Sequence, residues 1–210
     1  MSKLKYLLFV VFLACGLQTA KGELVYEVFL RVGEVDLLDG TAFSVLPRDS
    51  VTATAVFRET ATDGSTAILS DRLLGSVGLS LSAVGADGLF ENAERDPIYV
   101  IEGVGDISGA SFGSGLPGDE VRPGVFEVVF GSVDLIAPST LGATTEFRLA
   151  DSQPDDGRNN WGASGSGPQI NDSDIRFQNF QITAIPEPSG LAFLALMGGG
   201  LMIRRRRRSH

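Results

Sequence analysis

Apolar and small polar residues alternate along several stretches in the central part of the chain. Ser76–Ala83 alternates cleanly, and Val51–Phe57 does so with Val56 as the exception. A period of two places one set of side chains on a core and the other in solvent, as in a half-buried β-strand. Leu24–Val32, Val125–Ile136 and Thr145–Leu149 are rich in the β-branched and aromatic residues typical of strands. We predict a strand in each of these segments.

The segments between these strands are shorter and less regular. Pro97–Val104 contains an apolar run that we expect to form a buried strand, whereas Leu89–Glu94 and Ile68–Leu74 each have room for one helical turn. Between Asp174 and Ala184 the alternation changes phase, which predicts a β-bulge or two short strands. Turn-forming dipeptides separate the segments, at Asp39-Gly40, Asp63-Gly64, Asp87-Gly88, Pro117-Gly118 and Asp156-Gly157.

Together these patterns predict an all-β protein. Residues 23–184 show no long 3.6-residue period, no internal repeat and no second domain. We expect a single antiparallel β-sandwich or jelly roll of about eight or nine strands. We also expect an N-terminal signal helix before this domain and a short C-terminal transmembrane helix after it.

Residues 1–22 have the parts of a secretory signal peptide. Lys3 and Lys5 precede an apolar run over residues 6–14, and small residues stand at the −3 and −1 positions of a cleavage site before Glu23. The run is too short to span a bilayer. We therefore expect export by the Sec machinery and removal of the leader. Acylation of Cys15, as in a lipoprotein, is the alternative that the leader leaves open.

The C-terminal segment, residues 185–210, has three parts in a fixed order. The prolines of Pro186-Glu187-Pro188 keep the backbone extended, and an apolar run of 14 residues follows over 190–203. The chain then carries consecutive arginines, which hold a membrane-inserted C-terminus in the cytoplasm. These arginines are Arg204, Arg205, Arg206, Arg207 and Arg208. The short run with three consecutive glycines fits a marginal, temporary membrane anchor.

This tail resembles the PEP-CTERM sorting signal of Gram-negative bacteria, in which Pro-Glu-Pro precedes a short transmembrane helix and an arginine cluster. The resemblance implies recognition and processing near the motif by an exosortase-type sorting enzyme in the membrane. It also implies a place in the cell envelope or extracellular matrix, often alongside exopolysaccharide. The order of Val51–Ser70 and Val125–Leu149 is diffusely similar to cohesin-like sandwiches. An ordinary C-terminal anchor with a chance Pro-Glu-Pro is the alternative for the tail.

The charge of the chain is divided unevenly. The whole chain has a formal net charge of −9, but residues 23–184 hold nine arginines and 25 acidic residues, a net charge of −16. An acidic domain of this kind lacks the basic face that nucleic-acid binding needs. The same segment has no lysine, cysteine or histidine. The segment therefore lacks the residues needed for zinc–thiolate sites, for disulfides and for histidine-assisted nucleophilic catalysis.

The remaining polar residues offer weaker candidates. Asp151, Asp155 and Asp156 lie in an Asp- and Asn-rich loop whose oxygens suit a structural calcium ion, although the spacing is not that of an EF-hand. Solvated turn chemistry is the alternative for this loop. Trp161 follows the loop, and an exposed indole there would stack on a sugar ring. The alternative is that this lone tryptophan is a core or edge residue. Ser111 lies in a Gly-x-Ser-x-Gly match without the histidine that activates such a serine.

We therefore expect an exported, non-catalytic protein with a structural or adhesive role. It is anchored transiently in the membrane and then placed on the outer surface or in the matrix. No cofactor is expected apart from the calcium ion considered above. The alternatives are a carbohydrate- or calcium-binding module and, more remotely, a small glycan-acting hydrolase that uses two carboxylates.

Overall fold

The fold is all-β, as predicted. The structure is a computed structural model that describes residues 23–62, 65–154, 160–165 and 170–186. Within these ranges the chain forms 15 strands and one 3₁₀ turn at Asp172–Asp174. The strands belong to two sheets, one of seven strands and one of eight.

The seven-stranded sheet is built around three long strands. Its members are β1 (Leu24–Val32), β2 (Val35–Leu37), β4 (Ser50–Ala61), β6 (Leu89–Arg95), β10 (Asp119–Arg122), β11 (Val125–Ile136) and β14 (Ile175–Phe177). Their order is β10-β11-β4-β1-β14, with β2 paired to β1 and β6 paired to β11. Gly33, at φ +58°, makes the tight turn between β1 and β2 that residues with a side chain rarely adopt.

The eight-stranded sheet has β5 at its centre. Its members are β3 (Thr41–Val45), β5 (Leu73–Gly85), β7 (Ile101–Glu102), β8 (Ile107–Ala110), β9 (Leu116–Pro117), β12 (Thr144–Asp151), β13 (Gly162–Ala163) and β15 (Phe180–Ala184). Their order is β3-β15-β12-β5-β8-β7, and β9 and β13 both pair with β5. The strand β3 therefore forms one edge of this sheet.

The inner faces of the two sheets meet in one hydrophobic core. In the seven-stranded sheet, Val28, Phe57 and Val128 lie opposite one another across β1, β4 and β11, and all three are buried. Phe90 of this sheet meets Phe147 of the other sheet edge-on, with ring centroids 4.8 Å apart. Aromatic pairs at such distances stabilise beyond the area they bury. The architecture is therefore a β-sandwich.

The prediction of about eight or nine strands in a purely antiparallel arrangement is wrong in two respects. The described residues contain 15 strands, because several short edge strands, such as the two-residue β9, leave no periodic signal in the sequence. Two pairs of strands are parallel, β1 with β14 and β3 with β15. In both pairs one strand comes from the C-terminal part of the domain, which contributes one strand to each sheet: β14 at an edge and β15 between β3 and β12.

The phase change near the end of the domain marks two short strands, one of the two outcomes predicted. Strands β14 and β15 belong to different sheets, and Gln178 and Asn179 carry the chain from one sheet to the other. Gln178 N donates to Val28 O at 2.9 Å, and Asn179 Oδ1 accepts from Leu149 N at 3.0 Å. Each residue of the crossing therefore bonds to a different sheet.

Three local predictions need correction or refinement. Leu89–Glu94 is not a helical turn, because it lies in β6 and pairs with β11. Pro97–Val104 is not a buried strand, since Val100 is 65% exposed and only Ile101–Glu102 pairs with a neighbour. Arg72 N donates to Ile68 O at 3.1 Å, which closes one turn before β5 begins.

The predicted signal peptide, residues 1–22, and the predicted transmembrane helix lie outside the described residues. Within the ranges that the structure describes, no helix has the length and apolar character needed to cross a membrane. The first described strand begins at Leu24 and the last ends at Ala184.

Candidate functional site

The sorting motif begins where the sandwich ends. Ile185 N donates to Val45 O at 2.9 Å, which extends the β15–β3 ladder by one residue beyond Ala184. Pro186 comes next and is exposed. Glu187, Pro188 and the five arginines of residues 204–208 lie outside the described residues. The backbone is thus hydrogen-bonded into the sheet up to the residue before the motif, and the motif starts at the surface.

Asp151, the first predicted calcium ligand, lies at the end of β12 and is partly buried. Its Oδ1 accepts from Asn160 Nδ2 at 3.1 Å and from Gln153 N at 3.3 Å. Asp155 and Asp156 lie outside the described residues. Across the part of the chain that the structure describes, no three His, Cys, Asp or Glu side chains converge as a metal site would require. The calcium site stays a prediction.

Trp161 lies in the core, as the alternative for this residue expected, and it is not an exposed sugar-stacking residue. Its side chain is 0% exposed and lies among three aromatic rings of the seven-stranded sheet. The ring centroids of Phe57, Phe130 and Phe177 lie 5.5, 5.3 and 6.0 Å from that of Trp161. The sugar-stacking prediction is wrong because Gly162–Ala163 pairs with β5 as β13, which turns the neighbouring indole into the core. A ring in this position has no face free for a ligand.

The Gly-x-Ser-x-Gly match forms a turn rather than a nucleophile elbow. Ser111 Oγ donates to Gly75 O at 3.1 Å and also contacts Ser114 O. The hydroxyl group of Ser111 is thus hydrogen-bonded to backbone carbonyl oxygens. Residues 23–184 contain no histidine that could accept its proton. This arrangement offers no route to nucleophilic catalysis at Ser111.

Four charged side chains form a closed ring on the outer face of the seven-stranded sheet. We call Arg31, Asp36, Arg58 and Glu127 the ion-pair ring. Asp36 bonds Arg31 Nε at 2.5 Å and Arg58 Nη2 at 2.6 Å. Glu127 bonds Arg31 Nη1 at 2.9 Å and Arg58 Nη2 at 2.6 Å. Each acid therefore bridges both arginines, and each arginine bridges both acids.

The strand register explains how these side chains meet. Arg58 on β4 lies opposite Glu127 on β11, and Arg31 on β1 lies opposite Asp36 on β2. All four side chains project from the outer face, because each has a neighbour along its strand that is buried in the core. These neighbours are Leu30, Leu37, Phe57 and Val128. Phe29 lies beneath, with the guanidinium carbons of Arg58 and Arg31 at 4.4 and 5.4 Å from its ring centroid. The ring covers this phenyl group, which is 0% exposed.

The electrostatics of the ring keep all four groups charged. Burial alone would raise the pKa of Asp36 and of Glu127. The hydrogen bonds and positive charges of Arg31 and Arg58 together outweigh burial, so both carboxyl pKa values lie below their usual range. Arg31 and Arg58 donate hydrogen bonds to these carboxylates, which keeps both guanidinium groups protonated. Ion pairs of this kind hold a fixed geometry when the charged groups in them also have hydrogen-bond partners.

The ring is the floor of an open groove, which tests the hydrolase alternative directly. The groove has a volume of about 480 Å³ and is also lined by Glu34, Leu38, Val121 and Arg122. Asp36 and Glu127 both line this groove, and a glycosidase requires two carboxylates across its cleft. A general acid, however, needs a raised pKa, whereas both of these pKa values are lowered. The pair is therefore suited to holding the sheet and not to proton transfer.

The ion-pair ring is not predicted from the sequence above, although the sequence contains a signal for it. Arg58 and Glu127 stand inside long strands, next to apolar residues that face the core. A charged residue inside such a strand predicts a partner on the adjacent strand at the same level. Finding that partner requires the pairing of β4 with β11, which are 69 residues apart at this contact.

A comparison with solved structures includes a distant match to this fold. No family model matches the chain, and no curated protein matches it. The fold is similar to a non-cellulosomal cohesin from the hyperthermophilic archaeon Archaeoglobus fulgidus, with 11% sequence identity and a TM-score of 0.32. The match covers 83% of this chain and 98% of that chain. At this level of similarity it carries no argument about function.

Proposed function

We propose that this protein is exported, sorted through residues 185–210 and used in the cell envelope or extracellular matrix in a non-catalytic, structural or adhesive role. The observation that carries the proposal is the order of elements at the C-terminus. Pro186-Glu187-Pro188, an apolar run and five arginines follow one another directly after the last strand. The leader at residues 1–22 supplies the matching export signal for the Sec machinery.

The geometry at the end of the sandwich supports processing by an exosortase-type enzyme. A membrane enzyme needs an extended segment that it can reach without unfolding the domain. The last backbone bond to the sheet is that of Ile185, and Pro186 is exposed. Prolines on both sides of Glu187 prevent the motif from joining a helix or a central strand. The apolar run of 14 residues then places the motif close to the membrane surface.

The chemistry of the sandwich supports a non-catalytic role. Residues 23–184 contain no histidine, lysine or cysteine, and the two groove-lining carboxylates, Asp36 and Glu127, are held by two arginines. Its net charge of −16 keeps the exported domain soluble. Exopolysaccharide is the matrix partner that the tail suggests, and the acidic surface fits a hydrated polymer matrix better than a nucleic acid.

The proposal predicts that the motif is required for sorting. In the native host, we expect the combined variant Pro186→Ala, Glu187→Ala and Pro188→Ala to stay unprocessed in the membrane fraction and to lose most of its surface signal. Pro123→Ala is the matched control, because Pro123 is also exposed but lies far from the tail in sequence. Fractionation with an antibody to the sandwich measures both. A triple variant that reaches the surface at the wild-type mass would contradict the proposal.

A further inference from the structure

The strand β3 is an edge strand with an open side. It lies at the end of the eight-stranded sheet and pairs with β15 in parallel, with Thr41 opposite Phe180 and Val45 opposite Ala184. Phe43 packs against the core, whereas Ala42 and Ser44 are exposed. Within the described residues, no other strand pairs with β3.

The backbone of β3 directs a regular set of hydrogen-bonding groups away from the sheet. Val45 O accepts from Ile185 N at 2.9 Å, so the peptide groups of Val45 face β15. In a parallel ladder, residues alternate between facing one neighbour and facing the other. The N–H and C=O groups of Ala42 and Ser44 therefore point outward from the edge. They form a template for one more strand.

This edge lacks the features that normally prevent strands from pairing. Its sequence, Thr-Ala-Phe-Ser-Val, has no charged residue and no proline. The edge strand β10 has three charged residues out of four, the edge strand β14 contains Arg176, and the edge strand β7 is only two residues long. Natural edge strands are usually protected by charge, proline or shortness. Among these edges, β3 is the one left without such protection.

We propose that β3 pairs antiparallel with β3 of a second copy of this chain, across a two-fold axis at Phe43. In this register Thr41 lies opposite Val45 and Ala42 opposite Ser44 of the other copy. Ala42 and Ser44 then exchange both N–H···O bonds with their partners, which gives four bonds across the axis. Phe43 meets its own symmetry mate on the inner face, where cross-strand aromatic pairs are favourable.

A second copy can pair at this edge because the strand complements itself and carries no charge that would repel another acidic copy there. The sequence is nearly symmetric about Phe43, with β-branched residues at both ends and small residues between, so it complements itself. The domain also carries a net charge of −16, so two copies repel each other over most of their surface. Strands β3 and β15 contain no charged residue.

The contact between the two β3 strands is small, and its small area limits the strength of the association. Pairing of five-residue strands buries well under the roughly 1,200 Å² of a stable interface, so we expect weak association in solution. Molecules held side by side on one surface have a high effective concentration, which makes such contacts productive there. Pairing through β3 would link neighbouring molecules, which is one physical basis for the structural role proposed above. Its test uses purified protein, so the outcome does not depend on export or processing.

Sedimentation of the purified full chain in mild detergent tests the pairing. We expect the wild type to shift from monomer to dimer between about 1 µM and about 1 mM, the range of weak contacts. Ser44→Pro removes an outward N–H without removing a bond to β15, so this variant stays monomeric and folded. Ser44→Ala keeps that N–H and dimerises like the wild type. Circular dichroism confirms that both variants are folded.

Cysteine cross-linking tests the register. In a Cys15→Ser background, the Ala42→Cys and Ser44→Cys variants are oxidised with copper–phenanthroline, separately and as a mixture. Directly opposed residues lie about 5.5 Å apart between Cα atoms, a distance that a disulfide spans. We expect the mixture to cross-link several-fold more than either variant alone.

Three results would overturn the proposal. They are a wild-type chain that stays monomeric at every concentration, a Ser44→Pro variant that dimerises like the wild type, and single-cysteine variants that cross-link as efficiently as the mixture. If β3 instead accepts a strand from a different protein, the purified chain stays monomeric.

Discussion

We expect the Trp161→Ala variant to lose about 3–5 kcal/mol of unfolding free energy, the range for removing a large buried aromatic side chain. The indole is completely buried and contacts three aromatic rings of the seven-stranded sheet. It also connects the sheets, because the strand that follows it, β13, pairs with β5 of the eight-stranded sheet. Its removal leaves a cavity between the two layers.

Urea unfolding followed by circular dichroism measures this loss, since the variant has no tryptophan left for fluorescence. Phe112→Ala is the matched control, because Phe112 is 79% exposed, and we expect a change within about 0.5 kcal/mol. A Trp161→Ala variant as stable as the control would mean that the indole does not lie between the sheets.

The second large effect concerns the ion-pair ring. We expect Glu127→Ala to cost about 2–4 kcal/mol near neutral pH, because it removes one of the two carboxylates that Arg31 and Arg58 share; the range for buried pairs is discounted for partial exposure. The side chain of Glu127 is 7% exposed and that of Arg58 is 11% exposed. Glu146→Ala is the matched control. It also removes an arginine partner, Arg148 at 2.9 Å, but both of these side chains are well exposed, so little stability is lost.

The ring also predicts a pH dependence. The pKa values of Asp36 and Glu127 are lowered in the folded state, so the stability they contribute is present above their unfolded pKa values. It is lost as the pH falls below about 4 and through the lower folded values. The difference between wild type and Glu127→Ala should therefore shrink on acidification. A difference that stays constant from pH 7 to about pH 2 would contradict this assignment.

The buried Glu59 behaves in the opposite way. Burial raises its pKa, although hydrogen bonds from Leu69 N and Ile68 N, at 2.7 and 2.8 Å, oppose this. Its contribution to stability is therefore greatest in acid and declines as the pH rises through the folded pKa. Glu59 therefore does not contribute to a loss of stability in acid, and Glu59→Gln should not diminish that loss.

Much of the fold was predictable from local patterns. The strand predicted at Val125–Ile136 and the one at Leu24–Val32 have the bounds observed, because alternating or β-branched residues fill their whole length. Strand β3 was missed, since five uncharged residues between two turns carry too little periodicity. Leu89–Glu94 was misassigned because its strand structure depends on pairing with β11, which local sequence does not encode.

The candidate sites were harder to predict, for a physical reason. A sorting motif is contiguous, so the sequence displays Pro186-Glu187-Pro188 directly. The ion-pair ring joins Arg31 to Glu127 across 96 residues, and only the strand register brings them together. Trp161 follows a polar loop, which suggested exposure, but the direction of its side chain is set by the pairing of the strand after it.

The most direct test of the proposed function is the intact mass of the protein recovered from outside the cells of its native host. The account predicts a mature chain that begins at Glu23 and lacks the arginine cluster, Arg204–Arg208. A surface protein that still carries those five arginines would contradict it.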